Sequence, residues 1–192
     1  LMKKQDLRVK RTKQSFKRAI LELLAKKSIE DITIREITEL AVCNKNTFYL
    51  HYRDKYDLME KICASTLYEL ETTMNQAHVE HYNSKEEWYL DIAKRSLDAV
   101  ELDMSFYVVV LGYNKYPEFA DKFRTLIVKF LCSGTGQNGI ELKFKRFEAE
   151  YSSSGVVGAI QFWLKNQSTY TKNEIVAQMS NLVIGVGSVI LG

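Results

Sequence analysis

The fold is decided by one short stretch of the chain, Thr33-Ile-Arg-Glu-Ile-Thr-Glu-Leu-Ala-Val-Cys-Asn-Lys-Asn-Thr-Phe-Tyr-Leu-His-Tyr52. Thr33 and Glu36 have the spacing of a capping box, in which the Thr hydroxyl and the Glu carboxylate each accept a free N–H. The break at residues 42–44 ends this helix after about two turns, and Asn44 is a good N-cap for the next one. The stretch therefore predicts two short helices joined by a tight turn, a helix-turn-helix.

The second of these helices, predicted from Lys45 to about Tyr52, has the residue pattern of a helix that enters a DNA groove. Its early side chains can donate or accept hydrogen bonds, whereas Phe48 and Tyr52 share one face and can hold the helix against its neighbours. In a helix-turn-helix, the N-terminal side chains of the second helix face the bases of the major groove. The pattern favours a DNA-binding protein, and a helical hairpin without a DNA role is the alternative.

A basic segment precedes this motif. The first 18 residues carry eight cations and one acid, Asp6, although the net charge of the whole chain is only +3. Such a segment suits contact with phosphates, and it equally suits a solvated tail. From Lys10 to Lys26 the apolar residues recur on one face, which predicts a first amphipathic helix. The cations are Lys3, Lys4, Arg8, Lys10, Arg11, Lys13, Lys17 and Arg18.

The rest of the chain also has helical periodicity, and its single proline forces few breaks. Asp54 is the expected N-cap of a long helix from Lys55 to about Gln76. No apolar run approaches the roughly 20 residues of a membrane span, and none suggests a signal peptide. Three cysteines without paired spacing argue against a disulfide framework or a zinc site. We therefore predict an all-α, cytoplasmic protein. Further helices are expected at residues 85–101, 104–113, 118–132, 147–166 and 172–191.

The residues around the motif resemble those of the TetR/AcrR (tetracycline-repressor-like) family. The resemblance rests on Thr33-Ile-Arg-Glu-Ile, on Ala41 and the turn, and on the run Thr47-Phe-Tyr-Leu-His-Tyr-Arg-Asp-Lys-Tyr-Asp-Leu58, and it covers about residues 10–62. It implies a three-helix DNA-binding head over residues 1–54. A long helix would join this head to a helical ligand-binding and dimerisation body over residues 55–192.

The resemblance also implies a function. The expected protein is a homodimeric, sequence-specific repressor on palindromic double-stranded DNA, released when a small-molecule effector favours the state that cannot bind DNA. The alternative is an activator or co-activator controlled by a protein partner. An enzyme is a third class, but no nucleophile, base and orienting group are suggested, and neither a cofactor nor a metal is expected.

The DNA-contacting positions of the family fall on eight residues. Arg35 matches a position that reads a base edge, and Arg suits the O6 and N7 atoms of guanine. The base-facing start of the recognition helix corresponds to Lys45, Asn46 and Thr47, and contacts to the DNA backbone correspond to Thr33, Tyr49, His51 and Lys55.

One position departs from the family pattern. Val42 lies in the turn where glycine is usual. A β-branched residue disfavours a positive φ. We therefore expect a turn of slightly different shape.

The body offers weaker candidates. Aromatic residues crowd the middle of the chain, and each is either core or part of an effector pocket. Tyrosine can pair an apolar wall with one polar contact, so Tyr107, Tyr113 and Tyr116 are the pocket candidates. The last two helices are apolar on more than one face and need burial, either within one subunit or in a dimer. The candidates for a dimer interface are Gly158, Phe162, Met179, Leu182 and Val186.

Two further patterns are read as structural. Residues 134–139 satisfy G-x-G-x-x-G, but a dinucleotide site needs a strand before it and a helix within it, so a loop is predicted. His78 and His81 lie near Glu80, yet no third anchor has metal-ligand spacing. This segment is predicted to be a solvated connector.

Overall fold

Helices form most of the chain. The structure is a computed structural model that describes residues 2–75, 82–136, 139, 141 and 143–190, with side chains described between residues 6 and 182 of these ranges. Within them no β-strand is present, and Thr135 and Glu141 form an isolated antiparallel bridge. The all-α prediction is confirmed. The histidine pair at 78 and 81 and residues 137 and 138 of the glycine-rich loop lie outside the described residues.

The described ranges contain nine α-helices and one π-helical turn. None of these helices combines the length and the apolar character of a membrane span. The helices are α1 (Met2–Leu24), α2 (Ile34–Leu40), α3 (Lys45–Tyr49), α4 (Lys55–Asn75), α5 (Lys85–Leu102), α6 (Met104–Tyr107), α7 (Pro117–Leu131), α8 (Arg146–Lys165) and α9 (Lys172–Ile190), and the π-helical turn (Val108–Gly112) directly follows α6.

The chain divides into two compact units. The first is Leu1–Thr66 and the second is Leu67–Gly192. The division falls inside α4, so the first half of this helix belongs to one unit and its second half to the other.

The first unit is built on an aromatic cluster. Helix α1 begins at Met2, earlier than the predicted Lys10, and packs on α2, which packs on α3. Phe16 of α1 is fully buried, and its ring lies edge-on to those of Phe48 and Tyr52, at centroid distances of 5.4 and 5.9 Å. The shared inward face predicted for Phe48 and Tyr52 is confirmed. It fixes the back of α3 against α1.

The second unit is a helical bundle in which α7 packs on α8, and α5 packs on α9. Its core is also aromatic, with Trp88, Phe119 and Phe123 almost fully buried. The single helix predicted over residues 104–113 is instead α6 followed by the π-helical turn. Gly112 lets this turn approach α8, because a Cβ there would lie 3.3 Å from the Cβ of Leu164.

Candidate nucleic-acid interface

The start of α2 is held by the predicted capping box. The N–H of Glu36 donates to the Thr33 hydroxyl at 3.2 Å, and the N–H of Thr33 donates to the Glu36 carboxylate at 2.9 Å. The ammonium of Lys27 lies 2.7 Å from the other carboxylate oxygen. The hydrogen bond from Lys27, followed by those from Thr33, lowers the pKa of Glu36 to about 2. One ionised carboxylate thus joins the end of α1 to the start of α2.

The turn after α2 corrects the expectation for Val42. Its φ is +53°, the left-handed conformation that glycine would adopt, so the expected change in turn shape was wrong. The N–H of Val42 donates to Glu39 O and that of Cys43 donates to Thr38 O, at 3.1 and 3.0 Å. These two bonds form a Schellman motif, which holds the backbone although a non-glycine residue there is strained by roughly 1–3 kcal/mol.

Helix α3 starts at the predicted cap and ends before the predicted Tyr52. The Asn44 side chain accepts the N–H of Asn46 at 2.8 Å. After Tyr49 the chain tightens, since the N–H of His51 donates to the carbonyl of Phe48 three residues earlier. A tighter last turn of this kind is common where helix carbonyls lose their partners.

The side chains of α3 divide into a buried back and an exposed front. Phe48 is fully buried, Lys45 and Asn46 are exposed, and Tyr49 is 50% exposed. The ammonium of Lys45 lies 5.9 Å from the centre of the Tyr49 ring. Donors and acceptors therefore cover the solvent side of a helix whose other side is fixed. Thr47 and His51 are half-buried beside them.

Arg35 of α2 is also on the surface of the first unit. Its side chain is 83% exposed, and its Nε lies 2.7 Å from the carboxylate of Glu39, one turn later. An exposed pair of this kind contributes little to stability. The guanidinium is therefore available to a nucleic-acid base at small cost.

Sequence reasoning missed a buried carboxylate behind α3. Asp57 is 6% exposed, and it accepts the N–H of Arg53 and the ammonium of Lys61, both at 2.9 Å. These bonds keep the pKa of Asp57 below its ordinary value. Lys61 also donates to the carbonyl of His51 at 3.0 Å and lies over the Tyr52 ring. Asp57 and Lys61 thus tie the chain after α3 to the start of α4. The i,i+4 spacing of these two residues was the available signal.

Lys55 is placed differently from the other expected DNA contacts. Its ammonium donates to the carbonyls of Glu30 and Ile32 at 2.6 and 2.8 Å. Two of its three N–H groups are therefore used inside the first unit, where they hold the loop that leads into α2.

In the second unit, the three pocket candidates occupy different environments. Tyr107 is 1% exposed and packs edge-on against Phe106, and burial raises the pKa of its hydroxyl. Tyr113 is 56% exposed, and Tyr116 is half-buried in front of α7. Of the three, only Tyr107 belongs to the aromatic core.

The dimer candidates also separate by exposure. Gly158 is exposed and a Cβ there would meet nothing within 4 Å, while Phe162 and Leu182 are 47% and 67% exposed. Met179 is 6% exposed, so it packs within its own subunit. Val186 lies in α9 beyond the described side chains.

The exposed face of α8 carries two more aromatic residues that sequence reasoning did not select. Phe147 and Tyr151 are 80% and 74% exposed. With Gly158 and Phe162 they recur at spacings of four, seven and four residues, which places them along one side of the helix. These four residues are the exposed α8 face.

The first short helix is capped, a Schellman turn follows it, and the second short helix has a polar, exposed side. These features define a helix-turn-helix protein of the DNA-binding class. Residues 18–62 match the family model for bacterial regulatory proteins of the tetR family, and residues 86–185 match a model of the C-terminal region of transcriptional regulators. The chain belongs to the TetR family of transcriptional regulators.

A relative of known sequence agrees with this family. The chain is 28% identical over 167 residues to the uncharacterized HTH-type transcriptional regulator YxbF of Bacillus subtilis (strain 168), with 84% of the chain and 42% of YxbF covered. The chain therefore spans about two fifths of the length of that relative.

Two solved structures have a similar fold. The regulator FadR from Bacillus subtilis in complex with stearoyl-CoA has a TM-score of 0.62 at 15% identity, covering 90% of this chain and 96% of that one. The dihydroxyacetone kinase operon activator DhaS has a TM-score of 0.55 at 13% identity, covering 91% and 94%.

Proposed function

We propose that this regulator is a homodimeric repressor that binds a palindromic operator and is released by a small-molecule effector. Residues 1–54 would bind DNA, and residues 55–192 would bind the effector and form the dimer. The observation that carries the proposal is the two-sided character of α3. Phe48 is fully buried against Phe16, while Lys45 and Asn46 are exposed at the start of the helix.

The expected contacts divide by chemistry. Arg35, Lys45 and Asn46 carry groups that hydrogen-bond base edges, with Arg or Lys preferring guanine and Asn preferring adenine. Phosphate contacts fix register without reading sequence. The internal hydrogen bonds of Lys55 favour a positioning role for it. Thr47 completes the base-facing set, and the proposed phosphate contacts are Thr33, Tyr49 and His51.

Selection of binding sites from random DNA tests this function directly. The purified protein should enrich an inverted repeat whose half-sites are centred about 10 base pairs or a multiple apart, because two recognition helices then meet the same face of the duplex. Recovery of no sequence preference would contradict the proposal.

The exposed α8 face supports the homodimer. Two large aromatic residues and Phe162 lie on one side of a helix with Gly158, whose missing side chain permits close approach. Large exposed apolar patches mark interfaces. Light scattering should show a dimer that Phe162→Asp shifts to a monomer. Tyr68→Asp, at an exposed aromatic residue of α4, is the matched control and should remain dimeric. Equal masses for the two variants would contradict an interface at Phe162.

The effector we propose has a large apolar part, such as an acyl chain. The second unit has an aromatic core at Phe106, Tyr107, Phe119 and Phe123, and FadR, a regulator of similar fold, was solved with stearoyl-CoA. A ligand that prefers the DNA-incompetent state must lower operator affinity. Stearoyl-CoA is therefore the first probe, with CoA alone as the control. An operator affinity left unchanged by stearoyl-CoA and by shorter acyl-CoAs would reject an acyl effector.

An activator controlled by a protein partner is the second candidate. The similarity of fold to DhaS, an operon activator, favours it, as does the exposed apolar surface of α8. Transcription from a promoter with the selected operator separates the two candidates. A repressor lowers the transcript level, and an activator raises it.

A further inference from the structure

The core of the first unit does not explain why the first half of α1 is helical. From Asp6 to Ser15 every described side chain is exposed or half-buried, and full burial begins at Phe16. The match to the family's DNA-binding model begins only at residue 18. Ten helical residues rise about 15 Å. We call residues 6–15 the basic extension.

The charges of the basic extension oppose its own helix. Arg8 and Arg11 are exposed and three residues apart, as are Lys10 and Lys13. Like charges at this spacing destabilise a helix. The first turn of α1 has no acidic residue, so nothing there complements the positive end of the helix dipole. Within the described part of the chain, none of these four cations forms an ion pair.

We propose that the basic extension binds the phosphate backbone of DNA next to the half-site that α3 reads. This inference rests on the proposed function. A polyanion along the helix would offset the like-charge repulsion and the unfavourable dipole, against which the basic extension has a single acid, Asp6. The contact would be independent of base sequence.

The packing of α1 connects this surface to the recognition helix. Phe16, the residue directly after the basic extension, has its ring 5.4 Å from that of Phe48 in α3. The extension therefore continues from the element that fixes α3. Its length of about 15 Å corresponds to about four base pairs at 3.4 Å each. The bound duplex should extend by about that length beyond each half-site.

Two duplexes test this contact. Both carry the operator recovered by selection; one ends at the half-sites, and the other has about six additional base pairs of unrelated sequence on each side. The variant is Lys10→Gln/Arg11→Gln/Lys13→Gln, because glutamine keeps helix propensity without charge. The control removes the same charge from exposed lysines of the second unit, with Lys94→Gln/Lys122→Gln/Lys165→Gln.

The wild type and the control should bind the long duplex about tenfold or more tightly than the short one at low salt. Their slopes of log affinity against log salt should be steeper on the long duplex by about 2 to 3. The triple variant should lose both differences and keep its affinity for the short duplex.

The inference would be overturned if the wild type bound the two duplexes with equal affinity. It would also be overturned if the triple variant lost the same factor in affinity on the short duplex as on the long one. The proposed function fails separately, if the wild type does not prefer the selected operator over a scrambled duplex of the same length.

Discussion

The two units of the chain differ in the sequence distance between the residues that shape their surfaces. In the first unit, the caps that start the two short helices join residues two or three positions apart, as in Thr33–Glu36 and Asn44–Asn46. In the second unit, ion pairs join helices over 26 to 74 residues, as in Arg124–Glu150 and Lys172–Asp98. Helix ends fixed by such local contacts are visible in sequence, whereas the packing of helices through distant contacts is not.

The largest expected effect separates the two units. Phe48→Ala removes a fully buried ring that contacts Phe16 and Tyr52, and such a change costs about 3–5 kcal/mol. We expect the first unit to unfold and operator binding to be lost, while the second unit keeps its helices. Urea denaturation followed by circular dichroism should show a first transition with its midpoint at a lower urea concentration than in the wild type. The control is Leu50→Ala, at a side chain that is 79% exposed, and it should keep both the first transition and operator binding. Loss of all helix in a single step would show that the units are not independent.

The next effect concerns the strained turn. Val42→Gly relieves the positive φ, although glycine gains freedom in the unfolded chain, and the net result is a stabilisation of about 1 kcal/mol. Because Val42 is 89% exposed, no packing is lost. Val42→Ala keeps a Cβ, so its free energy of unfolding should rise much less. If the two variants have equal free energies of unfolding, strain at this position does not matter.

The smallest effect is a pH dependence within the first unit. The pKa of Glu36 is lowered to about 2, below its ordinary value of about 4.3 in an unfolded chain. Its contribution to stability is therefore complete above about pH 4.3 and is lost as the pH falls toward 2. Glu36→Gln should flatten the fall of the melting temperature over that window, and Glu60→Gln, at an exposed carboxylate of α4, should not. If the melting temperatures of the wild type and Glu36→Gln fall in parallel with pH, the capping role of Glu36 is contradicted.

The same contrast explains what the sequence could predict. The capping box, the Asn44 cap and the inward pair Phe48 and Tyr52 follow rules of short spacing, and each is present in the structure. The helices of the second unit were placed to within a few residues for the same reason. The outward side of α3 could be predicted as soon as its buried side was known.

Other features depend on competition between local preference and packing. Val42 was expected to avoid a positive φ, but two backbone hydrogen bonds hold it there. The π-helical turn before Tyr113 and the use of Lys55 within the first unit both depend on neighbours more than 20 residues away. Likewise, the burial of Met179 reflects the packing of α9 on α5, which helical periodicity alone does not specify.

The central claim is that the exposed front of α3 reads DNA sequence. The most direct test compares Lys45→Ala with Arg53→Ala on the selected operator and on a scrambled duplex, by fluorescence anisotropy at fixed salt. Lys45→Ala should weaken operator binding by about 1–3 kcal/mol, about 5- to 150-fold, and leave scrambled binding nearly unchanged. Arg53→Ala removes an exposed cation just after α3, where we expect a phosphate contact, so it should weaken both affinities alike. If Lys45→Ala leaves operator affinity unchanged, or lowers both affinities equally, α3 does not read sequence through Lys45 and the account is contradicted.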